Sequence, residues 1–186
     1  MSSRLTLISH AATAAVRAAA FPLDESIEDA GRNAALALAD RFQAVTAAWM
    51  SPGARTAETA AALRLKPDID AALRDIDVGR WAGRAFSDVE VSEPAAVAQW
   101  MAEPDAEPHG GESLRALLAR VARWLDFAGE QRGRIVAVTH PAVIRAAIVV
   151  AIEAGPASFW HIDVAPLTLV DLRSNGRRWT LRSFGS

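Results

Sequence analysis

The chain has no cysteine and no tyrosine in its 186 residues, and Lys66 is its only lysine. Without cysteine there are no disulfides, no thiolate nucleophile, no cysteine-ligated zinc and no iron–sulfur cluster. Without tyrosine there is no phenol nucleophile. A covalent enzyme built on this chain has to use Ser, Thr, Asp, Glu, His or Lys66. Long apolar runs are missing too: none approaches the roughly 18 residues that span a bilayer. The Met1 to Arg4 start leads straight into a strand-like run and shows no signal-peptide pattern, so a cytoplasmic location without membrane contact is the expectation. Nor is there an excess of positive charge. Twenty Lys and Arg face 22 Asp and Glu, a net charge of −2, which argues against nucleic-acid binding through bulk electrostatics.

The length suits one domain over residues 1–186. No Pro-, Gly- or Ser-rich linker divides it, and no solenoid repeat runs through it. Hydrophobic residues make up 51%, but alanine alone is about a fifth of the chain. Arg4 to His10 and Arg134 to His140 read as short buried strands, and 44–50 as a third. Ser26 to about Phe42 reads as an amphipathic helix with Ser26 as its N-cap and Asp29 three residues on. Helices are also expected from about 54 to 63, from 95 to 102, from 112 onward with Leu114, Leu117, Leu118, Val121, Trp124 and Leu125 on one face, and from Pro141 to 151. Residues 73–81 read as a strand or extended loop. Asp163 to Asp171 and Arg178 to Arg182 read as antiparallel strands joined through Asn175-Gly176. Strands alternating with helices predict a three-layer α/β/α sandwich with a mainly parallel central sheet.

Chemistry in such sheets collects beyond the carboxyl ends of the strands. Two strands here end alike, in Ser9-His10 and Thr139-His140, so two histidines are delivered to one end. Arg55 follows the third strand near a helix start, where a fixed cation beside free N–H groups suits an anion. Asp75 and Asp77 lie beside Gly79 and Trp81 in a fourth segment and offer a carboxylate. His109 and His161 are isolated, no His-x-x-x-His spacing occurs, and no metal site is expected. His109 is placed in a Pro/Gly loop at the pocket mouth, and His161, beside Trp160, as a partly buried packing residue. A Rossmann-like nucleotide-binding domain is the reading from another class, but neither Gly-x-Gly-x-x-Gly nor a Walker motif is present.

Taken in order, these blocks resemble the histidine phosphatase (phosphoglycerate mutase-like) superfamily. Its Arg-His-Gly strand end reads Ser9-His10-Ala11. Its Ser-x-x-x-Arg-Ala-x-x-Thr-Ala block reads Ser51-Pro52-Gly53-Ala54-Arg55-Thr56-Ala57-Glu58-Thr59-Ala60. The acid block reads Leu73-Arg74-Asp75-Ile76-Asp77-Val78-Gly79-Arg80-Trp81-Ala82-Gly83. Gly111-Glu112-Ser113 matches the opening of a later helix, and Val138-Thr139-His140 the last strand end. The resemblance runs from about Arg4 to Arg182. It implies His10 as the nucleophile that takes a phosphoryl group, Asp75 as the general acid, and Arg55 and His140 as phosphate ligands. It implies Thr13, Trp81 and His109 as substrate-specificity residues and 84–111 as a cap. No cofactor is implied, since a neutral imidazole attacks at neutral pH without a metal. A mutase is not expected, because the chain is short for that branch.

One departure divides the reading. Ser9 stands where the family has Arg, and one neutral donor replaces a two-bond cationic clamp. Arg17 is the candidate to restore the charge. The expected activity is a phosphomonoesterase acting on a small phosphorylated metabolite, with an atypical phosphate clamp, as monomer or homodimer. Its partners are that substrate or inorganic phosphate. The alternative is a non-catalytic or impaired member that binds an anion or a protein. The carboxylates of the 84–111 segment are expected to discourage highly anionic substrates. Phe159 and Trp160 are candidates for a subunit interface.

Overall fold

The structure is a computed structural model that describes residues 3–185. Six strands form one sheet: β1 (Ser3–Ser9), β2 (Ala47–Met50), β3 (Asp68–Ile69), β4 (Gly133–Thr139), β5 (Leu169–Ser174) and β6 (Trp179–Gly185). Their order is β3-β2-β4-β1-β5-β6. The first four are mutually parallel, and β5 and β6 are antiparallel additions on one side.

Side-chain alternation in the strands sorts the core into two layers. Leu5, Leu7, Ile135 and Ala137 face α6 (Leu114–Glu130) and α7 (Pro141–Ala151). Ile8, Val136 and Val138 face α2 (Asp29–Leu38) and α3 (Ala54–Ala62). Helix α6 carries the predicted stripe, with Leu114, Leu117, Val121, Trp124 and Leu125 all buried. Each such large side chain contributes about 1.5–3 kcal/mol of burial free energy. The three-layer α/β/α architecture read from the sequence is the observed one. The remaining helices, α1 (Ala14–Arg17), α4 (Phe86–Ser92) and α5 (Pro94–Ala102), lie beyond the carboxyl ends of the strands. There Val78, Trp81, Val89, Val97 and Trp100 form a separate small core. Among the described residues no helix is long and apolar enough to cross a membrane.

Several element boundaries differ from those read in the sequence. Helix α2 begins at Asp29 with Glu28 as its cap and no side-chain cap bond, so Ser26 is not the N-cap. Residues 73–81 are not a strand; two 3-10 turns, Ala71–Leu73 and Gly79–Trp81, occupy the region, and the edge strand β3 precedes them. Helix α4 was hidden by its β-branched and serine content. The strand expected from Asp163 starts only at Leu169, because Pro166 has no N–H for a ladder. The segment before it instead crosses the strand ends, with Ser9 N–H donating to Thr168 O (3.0 Å) and Leu167 N–H to Ser9 O (3.2 Å).

The acid block is locked onto the loop before α6 by close backbone contact. Glu112 N–H donates to Asp77 O (2.7 Å), and Arg80 N–H to His109 O (3.1 Å). A Cβ on Gly111 would sit 2.1 Å from Asp77 O, and one on Gly79, at φ +50°, would sit 2.2 Å from His109 O. Gly111→Ala is therefore expected to destabilise the protein by at least about 2 kcal/mol, whereas Gly155→Ala, with nothing within 4 Å, should change stability by less than about 0.5 kcal/mol. Urea unfolding of the two variants measures both.

Candidate active site

Strands β1 and β4 pair in register so that Ser9 lies opposite Thr139. The next residue of each chain segment is a histidine, and His10 N–H donates to Thr139 O (2.9 Å). The two imidazoles therefore leave the sheet side by side, with ring centroids 5.4 Å apart, and both are buried.

The tautomer of His10 follows from its neighbour. Its Nδ1 lies 2.8 Å from Ala11 O, and a carbonyl only accepts, so Nδ1 carries the proton. Nε2 is left with its lone pair. Burial lowers the His10 pKa, with the Arg55 charge adding to the effect and the Ala11 carbonyl opposing it; the ring is neutral at pH 7. The Ala11 backbone is itself anchored, because its N–H donates to Thr59 Oγ1 (3.0 Å), which donates in turn to Arg55 O (2.6 Å). Alanine replaces the family glycine here without strain, since Ala11 is not among the residues at positive φ.

Arg55 is 6% exposed and spreads its guanidinium over three acceptors. Nη2 donates to Asp75 Oδ2 (2.8 Å), Nη1 to Leu23 O (2.8 Å), and Nε to His140 Nδ1 (3.2 Å). His140 Nε2 lies 2.7 Å from Ser51 Oγ, whose own proton goes to Pro52 O (3.0 Å). His140 is thus neutral with its proton on Nε2. Its pKa is pushed down to about 4, by burial first, against the pull of Asp75. Burial acts to raise the Asp75 pKa, but the His140 ring once it is protonated at low pH, the Arg55 guanidinium, and the His10 ring once protonated outweigh it and hold the carboxyl below its ordinary value.

The loop that carries Asp75 is fixed from behind. Arg120, an arginine on the apolar face of α6, forms a two-bond pair with buried Glu112 (2.8 and 2.6 Å). It also donates to Ala72 O and Arg74 O (2.7 and 2.9 Å). Thr139 Oγ1 donates to Leu73 O (2.7 Å). The sequence reading assigned none of Arg120, Glu112 and Thr59 a role. The available signal was an arginine inside the leucine stripe of α6.

A cavity of about 280 Å³ opens onto His10, Arg55 and Asp75, walled by Phe21, Trp100 and Trp160 among others. A shallower opening of about 470 Å³ reaches Arg55, Asp75 and His140 from the other side, beneath Leu23 and Asp24. The structure thus brings His10, Arg55, Asp75 and His140 together. It does not bring in the other expected residues. Arg17 is 74% exposed and paired with Glu28, and it does not line the cavity. Ser9 is fully buried with its Oγ unpartnered and has no face on the cavity. Thr13 is the buried N-cap of α1, accepting from Val16 N–H. Trp81 is buried in the aromatic core behind Trp100. His109 is buried against Trp81 and Trp100, not at the mouth, with Nδ1 accepting from Gly111 N–H (3.0 Å). Asp77 closes the turn at Gly79 through a 2.8 Å bond. His161 is exposed, and Phe159 and Trp160 wall the cavity where a subunit interface was considered. Among the described residues no three His, Asp or Glu side chains converge as a metal site requires.

The model of the histidine phosphatase superfamily (branch 1) matches residues 5–186. A bifunctional protein of Mycobacterium tuberculosis is 31% identical over 126 residues, which are 65% of this chain and 35% of that protein. The match thus spans about a third of the curated relatives' length. In structure the chain is similar to a mycobacterial glucosyl-3-phosphoglycerate phosphatase, with TM-score 0.87, 22% identity and 100% of both chains covered. It is also similar to a phosphoserine phosphatase of Entamoeba histolytica in complex with 3-phosphoglyceric acid, with TM-score 0.88, 20% identity, and 99% and 97% covered. At these identities the structural likeness speaks for the fold.

The buried neutral His140 has a measurable consequence. Its pKa is 6.5 when unfolded and about 4 when folded, so between those values the unfolded chain binds the extra proton. Stability is therefore complete above pH 6.5 and is lost as pH falls toward 4, by about 3 kcal/mol over that window. The Asp75 contribution would be lost only at lower pH, since its pKa lies below 3.8. Urea unfolding between pH 7.5 and 4 should show this slope, and His140→Asn should reduce it, leaving the same-signed contribution of buried His10 and His109. A slope that His140→Asn leaves unchanged would assign the effect elsewhere.

Proposed function

The chain belongs to the histidine phosphatase superfamily (branch 1), and from that membership and the geometry of the site we propose that it is a phosphomonoesterase working through a phosphohistidine at His10. The observation that carries this reading is the direction of the His10 ring: Nδ1–H is held by Ala11 O and His10 lines the cavity, so the Nε2 lone pair is the free nucleophile. Neutral imidazole needs no further activation.

The chemistry takes two displacements. In the first, Nε2 forms a bond to phosphorus while the ester P–O bond breaks, and Asp75 passes a proton to the leaving alkoxide oxygen. In the second, water attacks the phosphohistidine, its proton goes to Asp75, and the P–N bond breaks to release inorganic phosphate. Asp75 is ionised in the free protein because the Arg55 guanidinium holds it so. A phosphate dianion that takes over the Arg55 N–H groups removes that support and adds a like charge nearby, and both effects raise the Asp75 pKa toward the protonated form an acid requires. The same dianion favours a proton on His140 Nδ1, which then donates to a phosphoryl oxygen. The uncapped start of α7, with Ala142 in the cavity wall, adds backbone N–H groups. With Ser9 out of reach, Arg55 is the principal cationic ligand of the phosphoryl group.

Residues 84–111 form a cap on the single domain 1–186, and Trp100 is their contribution to the cavity. None of their carboxylates lines the cavity, and two of them are paired elsewhere, Glu93 with Arg80 and Arg84 and Asp105 with Arg115. The structural relatives named above carry names for phosphorylated metabolites, which supports a small phosphate monoester as substrate. That all three Arg55 nitrogens are already engaged, by Leu23, Asp75 and His140, favours a second reading, a member that binds an anion or a protein partner without turnover.

Release of inorganic phosphate from phenyl phosphate distinguishes the two. The wild type should turn over and His10→Ala should be inactive. Arg55→Gln should lower kcat/KM by about 10²–10³, and Asp75→Asn should lower kcat by about 10²–10⁴. Equal inactivity of wild type and His10→Ala would leave the binding reading. Arg17→Ala should stay within about twofold of wild type, as expected for an exposed ion pair; a larger loss would restore Arg17 to the clamp.

A further inference from the structure

One cation in the cavity has no part in the reaction described so far. Arg145 lies one helical turn beyond Pro141 on α7 and lines the same cavity as His10 and Arg55. Its side chain is only 29% exposed, and its Nε is buried with no hydrogen-bond partner. The guanidinium carbon stands 5.7 Å from the centre of the Phe159 ring, a cation–π contact that fixes its position and leaves its N–H groups free. Its nearest carboxylate is Asp163, at 3.9 Å, which is 98% exposed and therefore solvated. Burial works against the charge and lowers the Arg145 pKa, yet an arginine stays protonated. A partly buried cation with unused donors is costly unless something compensates it.

Arg145 is also set apart from the phosphoryl site. Arg145 shares no hydrogen bond or ion pair with His10, Arg55, Asp75 or His140. Its one ion-pair partner among the described residues is Asp163. It is a separate cation on the cavity wall. The wall between is apolar and aromatic, formed by Phe21, Ile76, Trp100 and Trp160.

We propose that Arg145 receives a carboxylate on the leaving group, so that the substrates are phosphomonoesters with an apolar or aromatic body and a second, carboxylate anion at the far end. A carboxylate suits the site better than a second phosphate. One guanidinium matches its single charge as well as its two oxygens, and Asp163 nearby opposes a dianion. This inference rests on the cavity being the phosphatase site, and its test is independent of turnover.

The test is calorimetric titration with benzylphosphonate and 4-carboxybenzylphosphonate, which cannot be hydrolysed. The carboxylated ligand should bind the wild type about tenfold more tightly (about 1.4 kcal/mol). Arg145→Gln should abolish that preference while changing benzylphosphonate affinity little, and Arg145→Lys should keep part of it. The inference is overturned if the carboxylate gives the wild type less than about twofold, or if the preference survives in Arg145→Gln. The wild-type comparison decides even if Arg145→Gln fails to fold. Phenyl phosphate turnover reads the phosphatase proposal separately, so a carboxylate preference without turnover would keep the Arg145 site and discard the enzyme.

Discussion

The site depends on one buried cation. The Arg55 guanidinium lies under the loop that follows α1, and a charge so placed is tolerated only when its donors are satisfied. Leu23 O, Asp75 and His140 satisfy them. Each of those partners belongs to a different segment, so the arginine ties three strand-end loops together. Removing it would leave a partly buried carboxylate without its counter-charge and a histidine ring without its orienting donor. The surrounding packing is arranged to keep this geometry. Arg120 and Glu112 grip the Asp75 loop from one side, Thr139 holds Leu73, and Thr59 joins Arg55 to the backbone beside His10.

The same arrangement explains why two histidines a few ångströms apart do different work. His10 is oriented by a carbonyl and keeps a free nitrogen toward the cavity. His140 is held at both nitrogens, by Ser51 and by Arg55. Burial keeps both neutral, so one is a nucleophile at neutral pH, and the other becomes a donor when a phosphate brings negative charge beside it. Anion binding and proton uptake are thereby linked, with Arg55 and Asp75 as the coupling pair.

The central part of this site was legible in the sequence because strand ends are. Apolar runs that stop at His10 and His140 must deliver both rings to one edge when the strands are parallel neighbours, and the spacing to Arg55 and Asp75 carries the family pattern. What could not be read were residues whose role depends on tertiary approach. Arg17 is close to His10 in sequence, but Glu28 draws it outward. Arg145 had no role in the sequence and gains one only from its place on the cavity wall, while Phe159 and Trp160 read as interface residues but are folded against the cavity by the 3-10 turn at Pro156–His161. Trp81 and His109 carry conspicuous side chains in a recognised block, yet they serve the packing behind Trp100. The start of α2 was misread because Ile27 bridges Thr13 and Glu28 N–H donates to Ala12 O, which delays the helix past Ser26; that of β5 was misread because Pro166 turns a β-rich run into a loop across the strand ends.

The central claim is that His10 carries the phosphoryl group. Rapid quenching of the protein during turnover of phenyl phosphate, followed by peptide mass spectrometry under alkaline conditions, tests it most directly. The account predicts one acid-labile, base-stable phosphoryl group on the His10 imidazole. Turnover with no phosphorylated His10, or with phosphate on another side chain, would contradict it.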